Sequence, residues 1–326
     1  MKSENIYDET LSVRLFAPLK RVKQLLILLS ILSHIASGQL SKTYLFVGTY
    51  TNGKADKGIY IYAFDTKTGK LKKVSSGRNI VNPSYLTLSP EGDYLYACTD
   101  TKLPKEGSVS AFKFDSVNAR ITLLNQQKSG GKNPVFVNSS RNNQWVVNAN
   151  YSSGTISVFK TNPDGSLNPA SQILQTQGSG PNPRRQDQSH IHAAVFSPDF
   201  EYLFFPDLGG DKIRVFKFHA REDQPLKALE QYDYSTVSGS GPRHFTFHPN
   251  HQFAYCIEEL SGCITAFRYA EGKLDSIQRI FSYSKIQEEY NSADIHISPD
   301  GRFLYASNRW DNENTLSIFS IDTGSG

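Results

Sequence analysis

The chain has 326 residues, 38% of them apolar and 12% aromatic, with 35 Lys and Arg against 31 Asp and Glu. That composition supports a large core and excludes a disordered chain or one that coats nucleic acid through a basic stripe. The 17 Tyr and 20 Phe, set against a single Met, favour strands over helices.

In chain order, the first feature is a leader. Lys20, Arg21 and Lys23 precede the apolar run "QLLILLSILSHIA" and the small residues "ASG". The pattern predicts a signal peptide over 1–38, with Ala36 and Gly38 before a cut at Gln39, and hence a secreted or periplasmic protein. The run is short of the roughly 20 residues a span needs, so no stable membrane span is expected after cleavage. Residues 1–38 hold five Lys and Arg and three Asp and Glu, which leaves 30 against 28 in the mature chain.

Residues 39–326 read as one repeat-built domain. The segments "PSYLTLSPEGDYLYACTD", "PVFVNSSRNNQWVVNANY", "HAAVFSPDFEYLFFPDL", "RHFTFHPNHQFAYCIEEL" and "ADIHISPDGRFLYASNRW" share one layout. An alternating strand leads to a Ser-Pro-Asp-Gly type turn and a second alternating strand. The turn residues Ser89, Ser139, Ser197, His248 and Ser298 are 50, 58, 51 and 50 apart. Third strands follow in "GIYIYAF", "GSVSAFKF", "GTISVFK", "DKIRVFKF" and "CITAFRY", and fourth strands in "GKLKKVSS", "ARITLLNQQ", "GSLNPASQILQ" and "GKLDSIQRI". Four short strands repeated every fifty or so residues predict an all-β fold, a β-propeller of about six blades.

The first unit, "TYLFVGTYTNGKADKGIYIYAF", lacks an innermost strand, which closed propellers take from the far end of the chain. The last unit stops at "TLSIFSIDTGSG", so the ring is expected to be C-terminally incomplete, without a last blade or closing strand. The dipeptide Trp310-Asp311 ends a second strand, not a third, and is no WD40 mark.

Consecutive strands of a blade are antiparallel, so the starts of innermost strands and the ends of second strands lie on one face. His190, His192, Arg243 and His244 fall at starts, while Asp100, Asn150, Asp207, Glu258, Glu259, Asn308 and Arg309 fall at ends. The long loop "GSGPNPRRQDQSHIH" adds Arg184 and Arg185. Cations, carboxylates and imidazoles around one channel mouth suit a small anionic ligand, Arg supplying bidentate recognition and His or Glu moving protons. His248 and His251, on turns of the opposite face, are expected to be solvent-exposed, and His296 to be a satisfied core residue. Cys256 and Cys263 are close enough to face each other across a hairpin, a pairing that an oxidising compartment permits, and Cys98 reads as a small core residue. No zinc spacing, nucleophile elbow or phosphate-cradling glycine loop is present, so neither metal nor cofactor is expected.

"LFVGTYT", "SHIHAAVFSPD", "PDLGGDKIRVF", "GSGPRHFTFHPN" and "SPDGRFLYASNR" carry a family likeness over about residues 43–322. The chain resembles the lactonase family of seven-bladed propellers, which includes propeller-type 6-phosphogluconolactonases and fungal carboxy-cis,cis-muconate cyclases. The resemblance implies a metal-independent enzyme acting on a lactone. It points to His190 or His192, Arg243, Glu259 and Arg309 as catalytic residues. Here Glu258 stands where relatives have Asn.

The expected reaction is hydrolysis of a sugar lactone, with Arg243 and either Arg309 or Arg185 holding the anionic group and polarising the carbonyl. His192 or Glu259 would activate water, and His190 or His244 would assist the leaving oxygen. Arg185, Asp207, His244 and Asn308 complete the expected substrate-binding set. The rival expectation is a non-catalytic secreted propeller that binds a glycan or protein through the loop aromatics Tyr50, Tyr151 and Trp310.

Overall fold

The computed structural model describes residues 42–309 and 313–326, so the predicted leader and Trp310 lie outside the described residues. The described residues form six antiparallel sheets, here blades 1 to 6. Blade 1 has three strands, Thr43–Gly48, Ile59–Phe64 and Leu71–Gly77, and begins at a second strand as expected. Blades 2, 3 and 5 have four strands in chain order, and blade 6 has three. The protein is an all-β propeller.

The core lies between consecutive blades because strand alternation sends neighbouring residues to opposite faces. In the second strand of blade 4, Tyr202–Asp207, Leu203 and Phe205 pack with Trp145 and Val147 of blade 3. Phe204 points the other way, stacking on Phe245 of blade 5 with ring centroids 5.3 Å apart. Burying each such aromatic contributes about 2–3 kcal/mol, which is why second strands are apolar on both faces.

The Ser-Pro-Asp-Gly turn closes through a positive φ at its fourth residue. Gly92 (77°) and Gly301 (74°) meet this need, but so do Asn143 (52°), Phe200 (60°) and His251 (64°). Phe200 there is unusual for a bulky side chain. The turn also resets one alignment: Ser140, not Ser139, donates its N–H across the turn to Trp145 as Ser89 does to Tyr94. Sequence similarity between the two serines concealed the shift.

Two points left open are settled and two expectations, both at histidines, change. The outer strand of blade 4 is split into Leu226–Ala228 and Tyr234–Ser235, both pairing with Lys212–Phe218, around the short 3-10 turn Glu230–Tyr232. Cys256 and Cys263 do not pair, because the hairpin register sets Cys256 opposite Thr265 and Cys263 opposite Glu258; all three cysteines are free, and Cys98 is a buried core residue as expected. His248 is buried, not exposed, its Nε2 lying 2.8 Å from the Gly301 carbonyl of the next blade's turn. A Cβ at Gly301 would sit 2.7 Å from that nitrogen, so the contact itself requires glycine. His296 is exposed, not core, because it faces out beside Asp294.

Candidate active site

Two neighbouring positions recur at the ends of the second strands of blades 2 to 6, and in blades 3, 5 and 6 they do opposite jobs. Thr99, Asn150, Asp207, Glu258 and Asn308 are buried away from the cavity, bonded to neighbouring strands and loops. Asp207 takes Nε and Nη2 of Arg214 at 2.9 and 2.8 Å, the Ser189 hydroxyl at 2.7 Å and the His190 N–H at 2.7 Å. Glu258 takes Arg279 Nη2 at 2.7 Å together with the hydroxyls of Thr265 and Ser261. Asn308 bonds Ser282 and Ser292, and Asn150 bonds Ser129 and Thr155. Asp207 and Asn308, expected at the substrate, therefore staple strands together and do not line the cavity.

The residues one step further on, Tyr151, Glu259 and Arg309, do line it. They join Tyr85, His192, Arg243, His244 and Asp294 from the starts of innermost strands, with Arg185 from the long loop, around a cavity of about 600 Å³. Lys102, Arg185, Arg243 and Arg309 face Glu259 and Asp294, four cations against two carboxylates. Tyr85 stacks on Phe136 at 4.1 Å, and both set ring edges against His244 at 5.9 and 5.4 Å, giving the imidazole an apolar seat.

Glu259 organises the cations. Its side chain is 4% exposed and accepts hydrogen bonds from Arg185 Nη2 and, at 2.6 Å, from Arg243 Nε, with Arg309 Nη2 at 3.6 Å. Burial alone would raise its pKa, but the Arg243 and Arg185 charges outweigh it and hold the carboxyl below its ordinary value. Arg309 is also held to Asn291 Oδ1 at 2.8 Å; burial and then the Arg243 charge weaken its grip on its proton. Arg184 instead turns to the surface and Glu289, leaving Arg185 as the inward member of the pair.

Two loops deliver these arginines, and Asp211 ties them together. Its carboxylate accepts from Gln186 Nε2 at 2.7 Å, Gly239 N at 2.6 Å and Gly241 N at 2.9 Å. Gly241 has a φ of 62°, and a Cβ there would meet Leu260 at 2.6 Å, so the "GSGP" turn before Arg243 is a close-packed hinge between loops.

The histidines separate. His192 lines the cavity, and its buried Nδ1 has no hydrogen-bond partner among the described residues. Burial, then the charge of Arg243, pushes its pKa well below that of an ordinary histidine. His190 lies behind Tyr151, stacked on it at 4.4 Å, with Nδ1 2.9 Å from the Tyr151 carbonyl and Nε2 3.1 Å from Asp187. His244 touches Arg243 and Asp294. Sequence reasoning missed Asp294, Asn291 and Asp211; only the alternation that puts Asp294 on the same face as its blade's channel-lining residues could have flagged the first. Among the described residues, no helix is long and apolar enough to cross a membrane.

Fold and cavity together define a propeller whose polar residues gather at one end around an arginine-rich pocket. Residues 44–326 match the family described as Lactonase, 7-bladed beta-propeller, and the chain belongs to that family. It is 39% identical over 282 residues to the 6-phosphogluconolactonase of Formosa agariphila, covering 86% of this chain and 80% of the relative. It is 34% identical over 294 residues to the 6-phosphogluconolactonase of Bacillus subtilis, covering 88% and 80%. Among solved structures, the periplasmic gluconolactonase PpgL of Pseudomonas aeruginosa superposes with a TM-score of 0.81 at 34% identity, covering 87% of this chain and 80% of that one.

Proposed function

We propose that the chain hydrolyses an anionic sugar lactone, 6-phosphogluconolactone or a close analogue, at this cavity. The observation that carries the reading is the state of Arg243. Its Nε is committed to Glu259 and its Nη1 to Ala293 O (2.8 Å) and His244, which leaves Nη2 without a partner among the described residues. A buried guanidinium with one open edge is a donor set in place before the carbonyl oxygen gains charge, the arrangement that lowers acyl-transfer barriers. The names of the relatives support lactone hydrolysis, and the four cations support a charged substrate.

His192 is the base in this scheme. Held neutral by burial, it accepts a proton from water as the oxygen attacks the ring carbonyl; the ring C–O bond then breaks and the ring oxygen takes up a proton. Glu259 is too heavily engaged by arginines to serve as base and acts by fixing them. Arg185 and Arg309, half open to solvent, receive the substrate's anionic group. His190, paired away from the cavity, holds Tyr151.

The test is the rate of lactone opening by the purified chain on gluconolactone and its 6-phosphate, corrected for spontaneous hydrolysis, beside His192→Gln and Arg243→Ala. A wild-type rate at background, from protein that melts cooperatively, overturns the proposal. The predicted leader and the likeness to a periplasmic gluconolactonase support an extracytoplasmic site of action, which N-terminal mass analysis of secreted protein checks.

A further inference from the structure

Asp294, on the innermost strand of blade 6, bridges two histidines. Its Oδ1 lies 2.6 Å from His244 Nδ1 and its Oδ2 3.1 Å from His296 Nε2. The carboxylate is itself held: Ile295 N donates to Oδ1 at 2.9 Å, and Asp294 N donates to Ser307 Oγ at 2.9 Å. On its other side His244 meets Arg243, Nε2 to Nη1 at 3.1 Å. A guanidinium can only donate, so His244 Nε2 must carry its lone pair and Nδ1 its proton, which then points at Asp294. The direction of every hydrogen bond from Asp294 to Arg243 is thereby fixed.

We propose that Asp294 is a positioning residue for Arg243, acting through the tautomer of His244, and that protonation of His244 releases Arg243 and switches the site off in acid. The inference rests on the role given to Arg243 above. Protonated His244 would present an N–H at Nε2 to the N–H of Arg243, and two donors cannot share the contact. Arg243 would keep Glu259 and Ala293 but lose the contact that sets the plane of its open edge.

The groups that face His244 fix the sign of the pH effect. Arg243 lies beside it on blade 5, His192 across from it with ring centroids 5.2 Å apart, and Tyr85 on its apolar side; Asp294 and His296 come from blade 6. Burial and then Arg243 lower its pKa, and Asp294 opposes them. Neutralising Asp294 removes the one charge that favours the protonated ring. The acid limb of the activity profile therefore moves to lower pH in the variant, even though the variant is slower at its optimum.

The experiment pairs kinetics with ¹⁵N NMR of histidine-labelled wild type and Asp294→Asn, the His244 signals being assigned by their loss in His244→Gln. The wild type should show His244 as the Nδ1–H tautomer. In Asp294→Asn its titration midpoint should fall by about half a unit or more, with the acid limb of kcat moving alongside, and kcat at the optimum should drop about tenfold with KM within about twofold. An Nε2–H tautomer in the wild type, or a midpoint that stays or rises in the variant, overturns the proposal. A wild type with no lactone-opening rate but the expected tautomer and midpoint shift removes the lactone reading and leaves the linkage standing.

Discussion

Glu258 and Glu259 are adjacent in the chain and face opposite worlds. Glu258 is 1% exposed and clamped by Arg279 inside blade 5, while Glu259 is 4% exposed and clamped by Arg243 and Arg185 at the cavity. Replacing each by Gln separates fold from chemistry. Glu258→Gln should cost about 1–3 kcal/mol in denaturant unfolding, because a buried acceptor of charge-assisted hydrogen bonds is weakened while Arg279, 34% exposed, can turn to solvent, with kcat of the folded fraction within about twofold of wild type. Glu259→Gln should cost at least as much stability, because Arg243, 12% exposed, loses its carboxylate with little access to solvent, and should in addition reduce kcat/KM about a hundredfold or more. Urea titration and steady-state kinetics on the same preparations check both.

The arginines of the cavity should respond differently to lysine. Arg243→Lys cannot hold Glu259 and Ala293 while keeping a third donor open, so kcat should fall about a hundredfold with KM little changed. Arg309→Lys keeps a charge near the anionic group and should mainly raise KM, by about threefold to tenfold. The opposite split would place the carbonyl at Arg309.

Stability should decline in mild acid. Burial first, and then Arg243, depresses the pKa of both His192 and His244, so the unfolded chain takes up protons that the folded chain refuses. Their contribution is therefore present above the ordinary histidine value of about 6.5 and is lost as pH falls below it. His296 runs the other way: hydrogen-bonded to Asp294, its pKa is raised, so its contribution is complete below the ordinary value and lost as pH rises through its raised folded-state pKa. Because His296 is exposed, its effect is the smaller. Calorimetry should show Tm falling between pH 7 and pH 5, with a visibly shallower fall in His244→Gln.

Salt should discriminate between substrates. Four cations face two carboxylates around the cavity, so KM for a phosphorylated lactone should rise several-fold between about 0.05 and 0.5 M salt, while KM for neutral gluconolactone stays nearly flat. Equal salt responses would argue against an anionic substrate group in the site.

The blade pattern was legible because strand alternation and turn residues are local properties. The long loop, Arg243 and Glu259 were legible because they interrupt that pattern. What escaped depended on one-residue register or on neighbouring blades. Asp207 and Asn308 looked equivalent to cavity residues, but Asn308 lies one step before Arg309, which does line the cavity, and Asp207 is taken up by Arg214 and Ser189; a single step reverses the face. The Ser139–Ser140 ambiguity had the same origin. Asp294, His248 and His296 owe their surroundings to partners about fifty residues away or to the outward face of one strand, and neither leaves a mark in a single repeat. The split outer strand of blade 4 lacked an alternating run long enough to announce itself.

The paired positions at the ends of the second strands also bear on how such a protein diversifies. Thr99, Asn150, Asp207, Glu258 and Asn308 are buried at the ends of five second strands, while the residues adjoining three of them, Tyr151, Glu259 and Arg309, line the cavity and differ in size, charge and aromaticity. In blades 3, 5 and 6 the architecture thus works as a rack of interchangeable tools: one rung is bolted, the next is a socket. New specificities can be assembled by swapping sockets singly, without renegotiating the bolts.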